Sequence, residues 1–122
     1  MTVSIPKYFS NITDTWSPHL VARVNGQQIK IAKIDGAFVF HLHPESDELF
    51  YVLSGRLIMK LEEHEHNIMS AGDMWVVPKG LRHGPVADNA EIMLVEAANT
   101  INTGDAPVSA RMREVNTRFH GD

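Results

Sequence analysis

Turn-forming pairs recur so closely between residues 20 and 96 that no stretch keeps a helical apolar period for as many as about ten residues. The clearest is Asn25-Gly26, the pair favoured in two-residue hairpins because both positions need φ > 0. It separates Leu20 to Val24 from Gln27 to Ile34. Asp35-Gly36 marks a second turn before a strand from Ala37 to His43. Strands from Glu48 to Leu53 and from Arg56 to Leu61 flank a turn at Ser54-Gly55. The polar run Glu62 to Asn67 reads as a hairpin tip, and Ile68 leads to a turn at Ala71-Gly72. Asp73 to Val77 is a strand ended by Pro78-Lys79-Gly80. His83 to Ala87 and Glu91 to Glu96 form the last pair, split by Asp88-Asn89. Many short strands with turns this dense predict an all-β sandwich or barrel.

The 122 residues make one domain, with a barrel core over 20–97, an N-terminal arm over 1–19 and a C-terminal arm over 98–122. A single helical turn is expected near Ser10 to Trp16, and Arg111 to Phe119 is either strand or helix. The absence of cysteine removes disulfides, iron–sulfur clusters, thiolate zinc sites and cysteine nucleophiles together. A net charge of −4 without any Lys/Arg cluster argues against nucleic acid as a partner. The longest apolar run, Leu49 to Leu53, is far short of a membrane span, and the first ten residues lack a signal-peptide core. The expectation is a cytoplasmic protein with no membrane partner.

The chemistry concentrates in His41-Leu42-His43-Pro44-Glu45-Ser46-Asp47-Glu48, answered by His83. On a strand, side chains two apart share a face, so His41 and His43 can aim at one point. Imidazoles with one carboxylate suit Fe, Mn, Ni, Zn, Co or Cu and not Ca or Mg. Asp47 and Glu48 are neighbours that face opposite ways, so only one of them can join the histidines.

These residues fall into a family pattern. Gly36…His41-Leu42-His43…Glu48…Gly55 and Gly72…Pro78-Lys79-Gly80-Leu81-Arg82-His83 resemble the two motifs of the cupin superfamily, in its small single-domain form. Gly36 lies one residue closer to His41 than the usual motif glycine, and Ala87 stands where an Asn often closes the second motif. The resemblance implies a double-stranded β-helix, or jelly-roll barrel. It selects Glu48 over Asp47 and assigns His41, His43, Glu48 and His83 as ligands of one divalent transition metal with coordination positions left open. It also implies terminal segments that lie across a neighbouring subunit, here Ile5 to Trp16 and Arg111 to Phe119 with the apolar Ile12, Trp16, Val115 and Phe119. A homodimer is therefore expected. The competing reading makes these segments a lid on their own barrel.

His64-Glu65-His66 repeats the His-x-His pattern in a polar tip with no further residue spaced to complete it, so it reads as a solvated hairpin. His19 and His120 are expected on the surface. Alternation places Val39, Phe50, Val52 and Met59 (with Leu57) in phase with the ligands, as the walls of an apolar pocket, and turns Phe38, Phe40 and Leu42 away. Arg82 is either an anion-binding residue of that pocket or the partner of a surface carboxylate. No catalytic group beyond the ligands is legible. The expected function is a metal-dependent enzyme acting on a small organic molecule, of dioxygenase, isomerase, decarboxylase or lyase type. The alternative is a metal-containing small-ligand binding or sensor protein without turnover.

Overall fold

A computed structural model describes residues 2–98 and Thr100. A short helix α1 (Ile5–Ser10) precedes β1 (His19–Val24), β2 (Gln27–Ala37), β3 (Glu48–Leu61), β4 (Asn67–Ser70), β5 (Met74–Val77) and β6 (His83–Ala97). Every pairing is antiparallel, in the order β1-β2-β6-β3-β4, with β5 on the first half of β3. The fold is the jelly-roll barrel expected, and Asn25 (φ 48°) with Gly26 (φ 79°) makes its first hairpin.

The barrel closes because its long strands bend where shorter strands were expected to end. β3 runs unbroken through Ser54-Gly55, with register shifts between Val52 and Ser54 and between Ser54 and Arg56. The extra residues change the phase: Glu48, Phe50 and Val52 are buried before the bend, and Leu57, Met59 and Leu61 after it. Gly55 has φ 76°, and a Cβ there would lie 2.7 Å from Ala90 Cα in β6. β6 likewise continues through Asp88-Asn89, with Asn89 at φ 42°. In β2, Asp35-Gly36 is a bulge rather than a turn, since register shifts between Ile34 and Gly36. Turn-forming residues inside a closed barrel thus serve as corners, because the ladder to the neighbouring strand resumes on both sides of each.

Two apolar clusters result. One fills the barrel with residues such as Val52, Leu57, Met59 and Ile92. The other lies outside β2, where Phe9 and Ile12 cover Val21 and Ile31. The N-terminal segment therefore packs on its own chain: Ile12 and Trp16 are buried without a neighbour, which corrects the expectation that they lie across another subunit. The helical turn lies at Ile5–Ser10, earlier than expected, with Pro6 placed where a first-turn proline loses no hydrogen bond. Arg111 to Phe119 lies outside the described residues.

Candidate metal centre

The four candidate ligand residues come from three places on the chain and meet in the barrel interior. His41 and His83 form an isolated bridge in which each backbone N–H donates to the other's carbonyl, at 2.9 and 2.8 Å. Residues on either side of His41 are not a regular strand, contrary to the expected strand from Ala37 to His43. The Gly36 bulge turns the backbone out of register, and Pro44 brings no N–H to a ladder. His43 is fixed instead by the loop after β5, where Gly80 N–H donates to the His43 carbonyl at 2.9 Å. Glu48 opens β3.

His41, His43, Glu48 and His83 are all buried, and their ligand atoms lie within 4.8 Å of one another. Glu48 Oε1 is 3.3 Å from His43 Nε2 and 3.8 Å from His83 Nε2. His41 Nδ1–H donates to the Val39 carbonyl at 2.8 Å, and His83 Nδ1–H donates to the Leu81 carbonyl at 2.9 Å. Those bonds fix both ring orientations and leave Nε2 lone pairs for the interior. His43 Nε2, His83 Nε2 and Glu48 Oε1 are buried with no hydrogen-bond partner. Buried polar atoms are nearly always satisfied, and a cation among these atoms would satisfy all of them at once. The cluster could hold a transition metal ion.

The electrostatics agree with that use. Burial, with His83 and His43 nearby, lowers His41 to about 4, so its ring is neutral near pH 7. Burial alone would raise Glu48, but the facing Glu96 and the nearby His43 and His83 outweigh it and hold the carboxyl well below its usual range. Glu96 is pushed up to about 9 by burial and by the facing Glu48, against the opposing pull of Lys30. Lys30 and Glu96 are each 1% exposed, with Lys30 Nζ donating to Glu96 Oε1 at 2.7 Å. Neither residue belongs to the motif spacing. The signal was a charge in the inward phase of an apolar strand: Lys30 with Ala32 and Ile34, and Glu96 with Ile92 and Leu94.

A small pocket of about 40 Å³ opens beside His41 and Glu48. Trp16, Phe38, Phe50, Ile34, Ile92 and Leu94 make most of its wall, and His41 and Glu48 are the polar residues in its lining. Phe50 is where expected. Phe38 is a wall residue and Val39 is not, since alternation cannot be carried through a segment that is not a strand. Val52 and Met59 face inward as expected but belong to the core beneath. Arg82 Nε lies 3.8 Å from the Glu62 carboxylate, outside the pocket lining.

Trp16, expected in an N-terminal arm, is a pinned wall of this pocket. Its φ of 57° is rare for a bulky residue and costs about 1–3 kcal/mol. Its backbone N–H donates to Lys33 O and its indole N–H to Asp35 O, each at 2.8 Å. Its ring stacks on Phe38 at 4.7 Å and 16°.

The remaining candidates separate from the cluster. Asp47 is exposed, and its carboxylate accepts from Lys79 N–H at 2.9 Å. His64 and His66 are exposed at the hairpin tip, where His66 Nδ1 accepts from Leu61 N–H at 3.2 Å. His19 is fully buried near Asp14, at 3.5 Å, rather than on the surface, because it opens β1 under the N-terminal segment. His120 lies outside the described residues.

Fold and donor set together define a small cupin. The cupin domain model matches residues 29–96, and the chain belongs to that family. A cupin-2 domain containing protein from Shewanella frigidimarina superposes with a TM-score of 0.75 at 35% identity, covering 78% of this chain and 93% of its own. Protein NMB1881 from Neisseria meningitidis gives a TM-score of 0.73 at 25% identity, covering 80% of this chain and all of that one (100%). "Uncharacterized protein YdbB" of Bacillus subtilis (strain 168) is 36% identical over 63 residues, which are 52% of this chain and 56% of that relative's length. No helix among the described residues is long and apolar enough to cross a membrane.

Proposed function

We propose that this protein is a metal-dependent enzyme acting on a small organic molecule. One divalent transition metal (Fe, Mn, Ni, Zn, Co or Cu) would be held by His41, His43, Glu48 and His83. The observation that carries this reading is the buried four-residue cluster with unsatisfied polar atoms, two of whose members, His41 and Glu48, line a pocket. Such a metal supplies Lewis-acid or redox chemistry at its open positions. The chain's own part is to hold the His41 and His83 rings by their backbone hydrogen bonds, to keep His41 neutral and Glu48 ionised, and to exclude water with apolar walls. Dioxygenase, isomerase, decarboxylase and lyase reactions all remain within this reading. Metal-loaded protein screened for O₂ consumption and for turnover of small organic acids and sugars tests it, with metal-free protein as the control.

One observation favours a second reading. Beyond His41 and Glu48, the residues lining the pocket offer no acid or base. A metal-containing binding protein without turnover needs none, and it would bind a ligand in that screen without changing it.

A homodimer belongs to the proposal. Its support is the apolar surface of β4 and β5, where Ile68, Met74 and Val76 are 59%, 57% and 41% exposed. Light scattering should give a mass near twice the 13.7 kDa of one chain, and a monomeric mass would refute it.

A further inference from the structure

From its lining, we infer that the pocket takes a planar, mostly apolar ligand with a single oxygen-donor group, of the aromatic carboxylate or phenol class. This rests on the metal-site reading above and narrows it to a ligand chemistry.

The first observation is what the pocket lacks. The lining holds no lysine or arginine, so a phosphate or a second carboxylate would enter without a counter-charge. The nearby cations are committed elsewhere: Lys30 is buried against Glu96 at 2.7 Å, and Arg82 lies against Glu62 at 3.8 Å. His41 and Glu48 are the polar groups in the lining, and both are metal-ligand candidates. Hydroxyl groups spread along a sugar or hydroxy acid would therefore meet apolar walls and lose their hydrogen bonds to water without replacement. The one place for a polar handle is the metal itself.

The second observation is what the pocket supplies. Three aromatic rings shape it. Trp16 and Phe38 are stacked at 4.7 Å, Phe38 stands edge-on to His41 at 5.7 Å and 84°, and Phe50 stands edge-on to His83 at 6.3 Å and 80°. The two phenylalanines thus flank the ligand histidines, so a molecule whose oxygen reaches the metal must lay its carbon skeleton among these rings. Aromatic walls favour planar, apolar partners in stacked or edge-on contact. Trp16 adds an independent sign. Its left-handed backbone is held by hydrogen bonds to Lys33 and Asp35, and strain of this kind concentrates at ligand clamps.

Calorimetric titration of metal-loaded protein with benzoate, lactate and glycerol 3-phosphate tests the inference. Benzoate should bind at least about tenfold more tightly than either polar anion, since it alone buries a ring. Phe38→Leu should weaken benzoate about fivefold or more and leave lactate unchanged. Phe38 is only half-buried, and the milder Trp16→Phe keeps an aromatic wall without the indole N–H, so neither variant depends on surviving a large cavity. Lactate or glycerol 3-phosphate binding as tightly as benzoate would overturn the inference, as would an equal loss of benzoate and lactate in Phe38→Leu. Metal content measured on the same samples separates two failures. Loaded protein that ignores benzoate overturns the ligand class alone, and protein that takes up no metal overturns it together with the reading on which it rests.

Discussion

Glu48 and Glu96 stand directly opposite each other on β3 and β6, and their carboxyls meet inside the barrel. Two touching carboxyls in apolar surroundings do not both ionise. Glu96, together with His43 and His83, keeps the charge on Glu48, so the proton stays with Glu96, and Lys30 reaches diagonally across from β2 to hold that carboxyl. The Glu48 carboxylate, a candidate metal ligand, is thereby backed by a buried pair that lies outside the four-residue cluster.

Breaking that pair should separate stability from metal binding. Lys30→Met leaves the protonated Glu96 carboxyl without its hydrogen-bond partner and should cost about 1–3 kcal/mol in urea unfolding. Lys30→Met with Glu96→Leu should recover most of that stability, because apolar replacements of buried pairs are often neutral. The double variant should still bind metal about tenfold more weakly than the parent, having lost the support behind Glu48. Undiminished metal affinity in the double variant would show that the pair only fills space.

The stability of metal-free protein should peak in mildly acid solution. His41, lowered from 6.5 to about 4, contributes stability that is complete above 6.5 and lost as pH falls through about 4. Glu48, depressed below 4.5, acts in the same sense at lower pH. Glu96, raised from 4.5 to about 9, acts in the opposite sense, and its contribution is lost as pH rises from 4.5 through about 9. The His41 and Glu96 slopes cancel between 4.5 and 6.5, leaving losses on either side. Urea midpoints with chelator present should therefore be higher at about pH 5.5 than at about pH 3.5 or 8.5. Glu96→Gln should flatten the alkaline limb, and a midpoint that rises from about pH 5.5 to 8.5 in the parent would contradict the assignment.

Gly55→Ala should be far more damaging than Gly80→Ala, although both glycines have φ near 80° (76° and 79°). At Gly55 the new methyl meets the backbone of Asn89 and Ala90, whereas at Gly80 nothing lies within 4 Å. The expected losses in thermal or urea unfolding are about 3 kcal/mol or more at Gly55 and about 1 kcal/mol at Gly80. Equal losses would mean that conformation alone, and not the close approach of β3 to β6, requires Gly55.

The four-residue cluster and the all-β fold were legible because both rest on local signals. His41, His43, Glu48 and His83 keep motif spacing, and Asn25-Gly26 names its own turn. What was not legible depended on closure of the barrel. Ser54-Gly55 and Asp88-Asn89 carry turn chemistry, and only the ladder between β3 and β6 makes them corners of continuous strands. Phe38 was turned to the wrong side because alternation was extended through a segment held by a single bridge at His41. Trp16 lies outside the strand pattern altogether, and its place in the pocket follows from hydrogen bonds to residues 33 and 35.

Metal content after purification without a histidine tag and reloading with Mn, Fe, Ni or Zn tests the central claim most directly. The parent protein and His66→Ala should each hold close to one metal per chain. His66→Ala should lose only about 1 kcal/mol of stability through its hydrogen bond to Leu61. His43→Ala should hold little metal, and its melting temperature should no longer respond to chelator. A parent protein that takes up less than about a tenth of a metal per chain, or equal loss of metal in His43→Ala and His66→Ala, would contradict the account.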